Sequence, residues 1–202
     1  MKQDNVGNQP YYVLLTGSKN NAGDYLIKFR AKKLLASLRP DRKVIDIDAW
    51  EPFDAKTIKM INASQALVLM GGPALQKNMY PSIYPMCENL NDIKVPVITM
   101  GIGWKSLDGA WNKSRSYPLL DTTIKLLDKI DKSGYQSSVR DYHTLNVLQG
   151  RGYKNFTMTG CHALNDLKHI SAPLLETGKI KKVAFSLGVS FLESKEMLKR
   201  VI

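Results

Sequence analysis

Short apolar runs that end in glycine or a polar residue alternate with longer segments of helical spacing, and this alternation constrains the fold most strongly. The runs have the length and β-branched content of strands. We predict seven strands, at 11–17, 44–48, 66–72, 95–103, 137–141, 156–160 and 181–188. Several of them have consecutive apolar residues and are therefore apolar on both faces, which is typical of strands covered on both sides.

The segments between the runs show the periodicity of amphipathic helices. One predicted helix places four apolar side chains on a single face, Ile27, Ala31, Leu34 and Leu38. A second repeats the pattern with Leu120, Ile124 and Leu127. Strands that alternate with such helices return to the same sheet direction through right-handed crossovers. The sequence therefore predicts an α/β protein with a Rossmann-like, doubly wound parallel sheet.

The composition is that of a folded protein inside the cell. Of 202 residues, 44% are apolar and 23% are charged, which excludes disorder as the main state. No window approaches the roughly 18 uninterrupted apolar residues of a membrane-spanning helix, and the first residues lack the apolar stretch of a signal peptide. Cys87 and Cys161 are the two cysteines, too few for a disulfide scaffold. We expect a cytoplasmic protein with two free thiols.

The net charge is +11 at pH 7, which favours anionic partners. Phosphorylated metabolites, lipid headgroups and nucleic acids all fit that surplus. The lysines are scattered on predicted helices and linkers, without the interleaved aromatic residues or the motifs of a nucleic-acid-binding domain. We therefore expect an anionic small molecule and no specific nucleic acid.

Three loops follow predicted strands at the edge where parallel sheets bind ligands. Residues 17–26 carry Gly17, Gly23 and two asparagines, but neither a dinucleotide fingerprint nor a phosphate-binding P-loop. The other two loops are Gly71-Gly72-Pro73 and 101–104, in which Trp104 could form an aromatic wall. Glycines at strand ends can also do no more than turn the chain.

Arg140, His162 and Asp24 are the charged or titratable side chains placed at that edge. Arg140 could hold a carboxylate or phosphate in a fork, or pair with Asp141 or Asp24. His162 could be a general acid or base, or a structural histidine with satisfied hydrogen bonds. Asp24 opens a helix, where it caps amides or serves as a base. No histidine pair has zinc-ligand spacing, so we expect no metal site.

Five segments, taken together and in order, are similar to the polysaccharide pyruvyl transferase family. NNAGDYLI at 20–27 resembles its N-x-G-D opening, LVLMGGPAL at 67–75 its glycine pair, and VPVITMGIGW at 95–104 its G-x-G-W turn. Residues 138–164 resemble its S-V-R-D segment, the following helix and a T-G-C-P-T-L strand end. His162 and Ala163 stand where that family has proline and threonine. The similarity spans about residues 11–200.

The resemblance implies a reaction and a set of site residues. Family members move the enolpyruvyl unit of phosphoenolpyruvate onto two sugar hydroxyls, forming a pyruvate ketal of a cell-surface glycan or its precursor and releasing phosphate. Arg140 matches the family's front-domain arginine, and with His162 it is our catalytic candidate. The substrate-binding candidates are Asn21, Gly23, Asp24, Gly71, Gly72, Gly101, Gly103, Trp104 and Arg140. Phosphoenolpyruvate would be the donor substrate, with no further cofactor.

The resemblance also implies two Rossmann-like halves like those of glycosyltransferase B-type enzymes. We expect a first domain at 1–168, a linker at 169–180 and the start of a second domain at 181–202, apparently truncated. The family's other arginine and its histidine acid lie in that second half, so this chain alone would lack half the site. A nucleotide-sugar glycosyltransferase and a non-catalytic binding remnant are the alternatives. A glycan acceptor is implied; peripheral contact with the inner membrane face and a homo-oligomer are left open.

Overall fold

The computed structural model describes residues 9–16, 21–105 and 111–173, together with 178, 180–183 and 199. In this part of the chain, six parallel strands form one sheet in the order β2-β1-β3-β4-β5-β6. The strands are β1 (Tyr11–Thr16), β2 (Lys43–Asp48), β3 (Leu67–Leu75), β4 (Val97–Trp104), β5 (Ser137–Val139) and β6 (Phe156–Met158). All six carboxyl ends therefore meet at one edge, and six of the seven predicted strands are confirmed. The seventh, at 181–188, lies largely outside the described residues.

Helices cover both faces of the sheet. They are α1 (Ala22–Leu38), α2 (Ala55–Asn62), α3 (Asp121–Lys132) and α4 (Tyr142–Gln149). Neighbouring residues of β1 point to opposite faces, because Val13 and Leu15 enter the larger core while Leu14 packs with Ile27 and Ala31 of α1. The larger core takes up the buried side chains of the other three helices. This arrangement confirms the doubly wound, Rossmann-like fold.

The predicted apolar face of α1 is only partly correct. Ile27 and Ala31 are buried, but Leu38 is 65% exposed and Leu35 packs against the core instead. A helix of 17 residues is about 25 Å long, whereas a six-residue strand spans about 20 Å. The last turn of α1 thus outruns the strand beneath it. In the same way Leu120, predicted on the buried face of α3, precedes that helix and is 40% exposed.

The segment after β6 packs on the face that α1 covers. Cys161 and Ala163 lie against the smaller core, and a short 3₁₀ turn at His162–Leu164 follows. Arg30 of α1 pairs with Asp166 at 2.6 Å (Nη1 to Oδ1), which ties this segment to the helix. His162 is thereby held at the carboxyl end of β4.

The chain divides into two compact units, Met1–Ile170 and Ser171–Ile202. The candidate site residues belong to the first unit. The predicted domain limits, 1–168 and 181–202 with a linker between them, remain predictions. Within the described ranges, no helix has both the length and the apolar character to cross a membrane.

Candidate functional site

A cavity of about 160 Å³ lies at the carboxyl edge between β1 and β3. From β1 the chain continues to β2, which lies beside β1 on one side, and then to β3, which lies beside β1 on the other side. The strand order therefore changes direction between β1 and β3. Open parallel sheets bind ligands at such a switch point. Thr16, Asp24, Gly72 and Tyr84 line it, and Lys28 and Trp50 complete the wall. The edge that the sequence predicted therefore holds a real cavity.

Gly71 and Gly72 of β3 have different structural roles. A methyl group at Gly71 would lie 3.1 Å from both the Gly101 carbonyl oxygen and Ile27 Cγ2, so this glycine lets β3 pack closely against β4 and α1. Gly72 has φ +87°, a conformation that side chains disfavour. The Asp24 carboxylate lies 3.5 Å from the place where its Cβ would be. Gly72 thus leaves the Asp24 carboxylate open on the cavity side.

Asn21 and Gly23 form the start of α1 and bring Asp24 to the cavity. The Asn21 side chain accepts a hydrogen bond of 2.8 Å from the Gly23 amide, so Asn21 caps the helix and Asp24 falls in the first turn. An acidic side chain there is stabilised by the positive end of the helix dipole. Gly17 and Asn20, also part of the predicted loop, lie outside the described residues.

Tyr84 closes the floor of the cavity. Its hydroxyl donates a 2.9 Å hydrogen bond to the Met70 carbonyl oxygen, and burial raises its pKa well above the usual value. It therefore stays a neutral donor, and its ring is fully buried.

Arg140 lies two strands away, directly after β5 rather than inside it. Its guanidinium rests on the α-carbon of Gly103, where any side chain would overlap it. Its backbone amide donates to the Ile102 carbonyl oxygen at 2.9 Å, and its Nε lies 3.4 Å from Asp141 Oδ2. The predicted partner was Asp141 or Asp24, and the structure pairs Arg140 with Asp141.

Asp141 links Arg140 to the start of α4. Its Oδ1 accepts hydrogen bonds of 2.7 Å from both the backbone amide and the hydroxyl of Thr144, which caps α4. The Thr144 hydroxyl oxygen in turn accepts 2.8 Å from the Trp104 amide. The ends of β4 and β5 and the start of α4 are therefore joined through one carboxylate. Among the described residues the terminal nitrogens of Arg140 hydrogen-bond to none, and its side chain is 30% exposed.

His162 packs on Gly101, on the same face as α1. A methyl group at Gly101, which has φ +69°, would lie 2.7 Å from His162 Cδ2. The ring is 4% exposed, and burial lowers the pKa of this histidine. Its Nδ1 lies 2.7 Å from the Asn165 side-chain nitrogen, and in the tautomer that carries its proton on Nε2 this ring nitrogen accepts a hydrogen bond from the amide. That Nε2 is buried without a partner in the described part of the chain.

Trp104 faces the opposite side of the sheet from His162. Its ring is 8% exposed, stacks on His143 at 5.4 Å between centroids and meets Tyr117 edge-on at 5.2 Å. Trp111 meets the His143 ring edge-on at 4.7 Å between centroids and is 51% exposed. The indole of Trp104 thus belongs to an aromatic cluster that supports the end of β4.

The structure groups the predicted residues into three neighbouring pairs along one edge. Asp24 lies by Gly72, His162 by Gly101, and Arg140 by Gly103. Sequence reasoning missed most of the other cavity residues, among them Lys28, Trp50 and Tyr84. Trp50 follows β2 almost directly, so its place in the chain pointed to this edge, whereas nothing in the sequence marked Tyr84.

A family model described as polysaccharide pyruvyl transferase matches residues 21–201. The chain belongs to this family. The matched region begins at the cap of α1 and covers nearly the whole chain. A search of curated proteins finds no significant match. In the described residues, no three potential ligands among histidine, cysteine, aspartate and glutamate are grouped to hold a metal ion.

Proposed function

We propose that this pyruvyl transferase family member binds phosphoenolpyruvate at Arg140 and transfers its enolpyruvyl unit to two hydroxyls of a glycan sugar. Atoms balance without water: both hydroxyl oxygens bond to the enol carbon, one proton goes to the methylene carbon, and the other leaves with phosphate. The reaction needs a clamp for two anionic groups and a place for the acceptor. The position of Arg140 is the observation that carries the proposal.

Arg140 suits the role of clamp because its guanidinium is held on one side while its terminal nitrogens have no hydrogen-bond partner among the described residues. Asp141 holds Nε and Gly103 supports the group's flat side. The two terminal nitrogens can therefore donate together to a carboxylate or phosphate, the bidentate geometry that arginine provides and lysine does not. Because the Arg140 side chain is already positioned, it loses less conformational entropy when the anion binds, which favours binding further.

The cavity beside α1 suits the acceptor sugar. Asp24 offers carboxylate oxygens that accept hydroxyl hydrogen bonds, and the half-exposed indole of Trp50 offers an apolar wall. An apolar surface with a few converging polar groups is typical of small-molecule sites. Asp24 is therefore our candidate for binding, and for deprotonating, an acceptor hydroxyl.

His162 fits a hydrogen-bond donor better than a protonated acid. Its lowered pKa favours the neutral ring at pH 7, and the tautomer that accepts a hydrogen bond from Asn165 carries its proton on Nε2. A neutral imidazole N–H can stabilise a developing negative oxygen without transferring its proton. We propose this role for His162 in place of general acid catalysis.

Competition between donors tests the proposal against its alternatives. Phosphoenolpyruvate and UDP-galactose are each titrated calorimetrically, alone and in the presence of the other. The proposal expects binding of phosphoenolpyruvate that UDP-galactose does not displace. Tight binding of UDP-galactose would favour a nucleotide-sugar glycosyltransferase, and binding of neither donor would favour a non-catalytic remnant.

A further inference from the structure

A second and larger cavity lies at the opposite edge of the sheet, where β4 begins. Its volume is about 790 Å³, within the range of small-molecule sites. Val95, Pro96 and Val97 form one wall and α3 forms another. The candidate site lies at the other end of β4, so the two cavities are separate. We call this second cavity the lysine groove.

The α3 wall carries a stripe of basic residues. Lys125, Lys129 and Lys132 are spaced four and three residues apart and therefore lie on one helix face. Like charges at that spacing repel each other and destabilise a helix. Asp128, also on the wall, is engaged by the Tyr153 hydroxyl at 2.9 Å and lies 4.0 Å from Lys132 Nζ. Lys125 and Lys129 have no carboxylate within 4 Å among the described residues.

Lys94 and Lys129 bring positive charge to the same groove from different elements. Lys129 Nζ donates a 2.8 Å hydrogen bond to the Ile93 carbonyl oxygen, which holds it against the wall. Burial lowers the pKa of Lys129, and the charge of Lys94 lowers it further. Glu88 is an exposed acid of the lining. The lining therefore has two more positive charges than negative ones.

The groove also contains a polar atom without a protein partner. The Thr122 hydroxyl oxygen is shielded from solvent and forms no hydrogen bond in the described part of the chain. Thr122 precedes Lys125 by three residues and so continues the stripe. Shielded hydroxyls are nearly always hydrogen-bonded in folded proteins. An oxygen-rich ligand in the groove would supply the missing partner.

We propose that the lysine groove binds a multiply charged oxyanion of the phosphate type, independently of the candidate active site. Converging cations in a concave site concentrate positive potential, and lysine binds phosphate as a compact point charge. Binding would relieve the repulsion along α3 and satisfy Thr122. The phosphate belongs either to a free phosphorylated compound or to a lipid headgroup.

Pyrophosphate is the probe for the free form, titrated calorimetrically at low salt into the full chain. The test variant is Lys94→Gln/Lys125→Gln, because neither side chain has a described partner whose loss would disturb folding. The matched control, Lys43→Gln/Lys56→Gln, removes the same charge from exposed positions outside the groove. We expect about tenfold weaker binding for the test variant and less than a twofold change for the control. Arg140→Lys should leave this binding unchanged.

Flotation with phosphatidylglycerol vesicles, against phosphatidylcholine vesicles, tests the headgroup. If the test variant loses flotation but keeps pyrophosphate binding, the ligand is a lipid phosphate. If it loses pyrophosphate binding but keeps flotation, the ligand is a soluble phosphate. The test variant should melt no lower than the wild type without anion, which shows that it folds. It should also keep the part of phosphoenolpyruvate binding that Arg140→Lys weakens. Equal binding of both probes by the wild type and the test variant would overturn the proposal, and so would a wild type that binds neither.

Discussion

The guanidinium of Arg140 lies against the α-carbon of Gly103, in space that any other residue at position 103 would fill. Gly103 sits on β4 and Arg140 follows the neighbouring β5, so the contact depends on sheet register. Ile102 pairs with Val139, and this pairing places the next residue of each segment, Gly103 and Arg140, side by side. Gly103 therefore leaves room for the Arg140 side chain and is not needed to form a turn.

Gly103→Ala should weaken phosphoenolpyruvate binding without touching a charged group. The added methyl group would displace the guanidinium, and we expect affinity to fall by about tenfold, which is roughly 1.4 kcal/mol. Calorimetric titration measures the affinity. Gly178→Ala is the matched control, because a methyl group there meets no atom of the described residues within 4 Å. If both variants bind like the wild type, the contact does not hold Arg140 in a binding conformation.

Gly101→Ala should destabilise the protein more than Gly160→Ala. Both glycines have positive φ, +69° and +89°, so each substitution strains the backbone by about 1–2 kcal/mol. At position 101 the added methyl group would also press on the His162 ring, whereas at position 160 no atom of the described residues lies within 4 Å of it. Urea unfolding measures both costs.

The excess cost at position 101 should depend on His162. In a Gly101→Ala/His162→Ala double variant the ring is absent, so the two substitutions should cost less together than the sum of their separate effects. Simple additivity would show that the ring gives way without cost, and the tight packing inferred at this edge would be wrong.

The free energy of unfolding should decrease as the pH falls below about 6.5, and His162 should account for part of that decrease. Burial lowers the pKa of His162 in the folded protein, while the unfolded chain takes up its proton near 6.5. The unfolded state therefore binds more protons between these two pKa values, and acid favours it. Urea unfolding at pH 7.5 and 5.5 should show a smaller decrease for His162→Gln. If the free energy of unfolding decreases equally in the wild type and in His162→Gln, another group causes the pH dependence.

Two aspartates are expected to act only at lower pH. Hydrogen bonds from His169 and then Arg30 lower the pKa of Asp166 to about 2, and Arg39 lowers that of Asp41 to about 2. The stability that they contribute is present above the usual carboxyl pKa and is lost as the pH falls toward 2. Measurements above pH 5 therefore separate His162 from them.

Periodicity predicted the sheet well because each strand carries its own signal. Val13, Leu14 and Leu15 are all buried, and only a strand covered on both faces accommodates such a run. The helix ends were harder to predict, since the exposure of Leu38 depends on the relative lengths of α1 and β1. The ligand edge was predictable because all parallel strands end there.

Contacts across strands were not predictable from local patterns. The support of Arg140 by Gly103 requires the β4–β5 register, and the position of Tyr84 under the cavity requires an irregular segment between β3 and β4. Trp104 could be placed at the edge by sequence, but the side of the sheet that its ring covers depends on the packing of His143 and Tyr117.

The central claim is that Arg140 binds the anionic donor as a two-pronged clamp, and calorimetric titration of phosphoenolpyruvate into Arg140→Lys tests it most directly. Lysine keeps the charge but loses the fork, so affinity should fall by about tenfold or more while the melting temperature stays unchanged. Arg39→Lys, a change at the far end of α1, should bind like the wild type. Equal affinities of the wild type and Arg140→Lys, given measurable binding, would contradict the account.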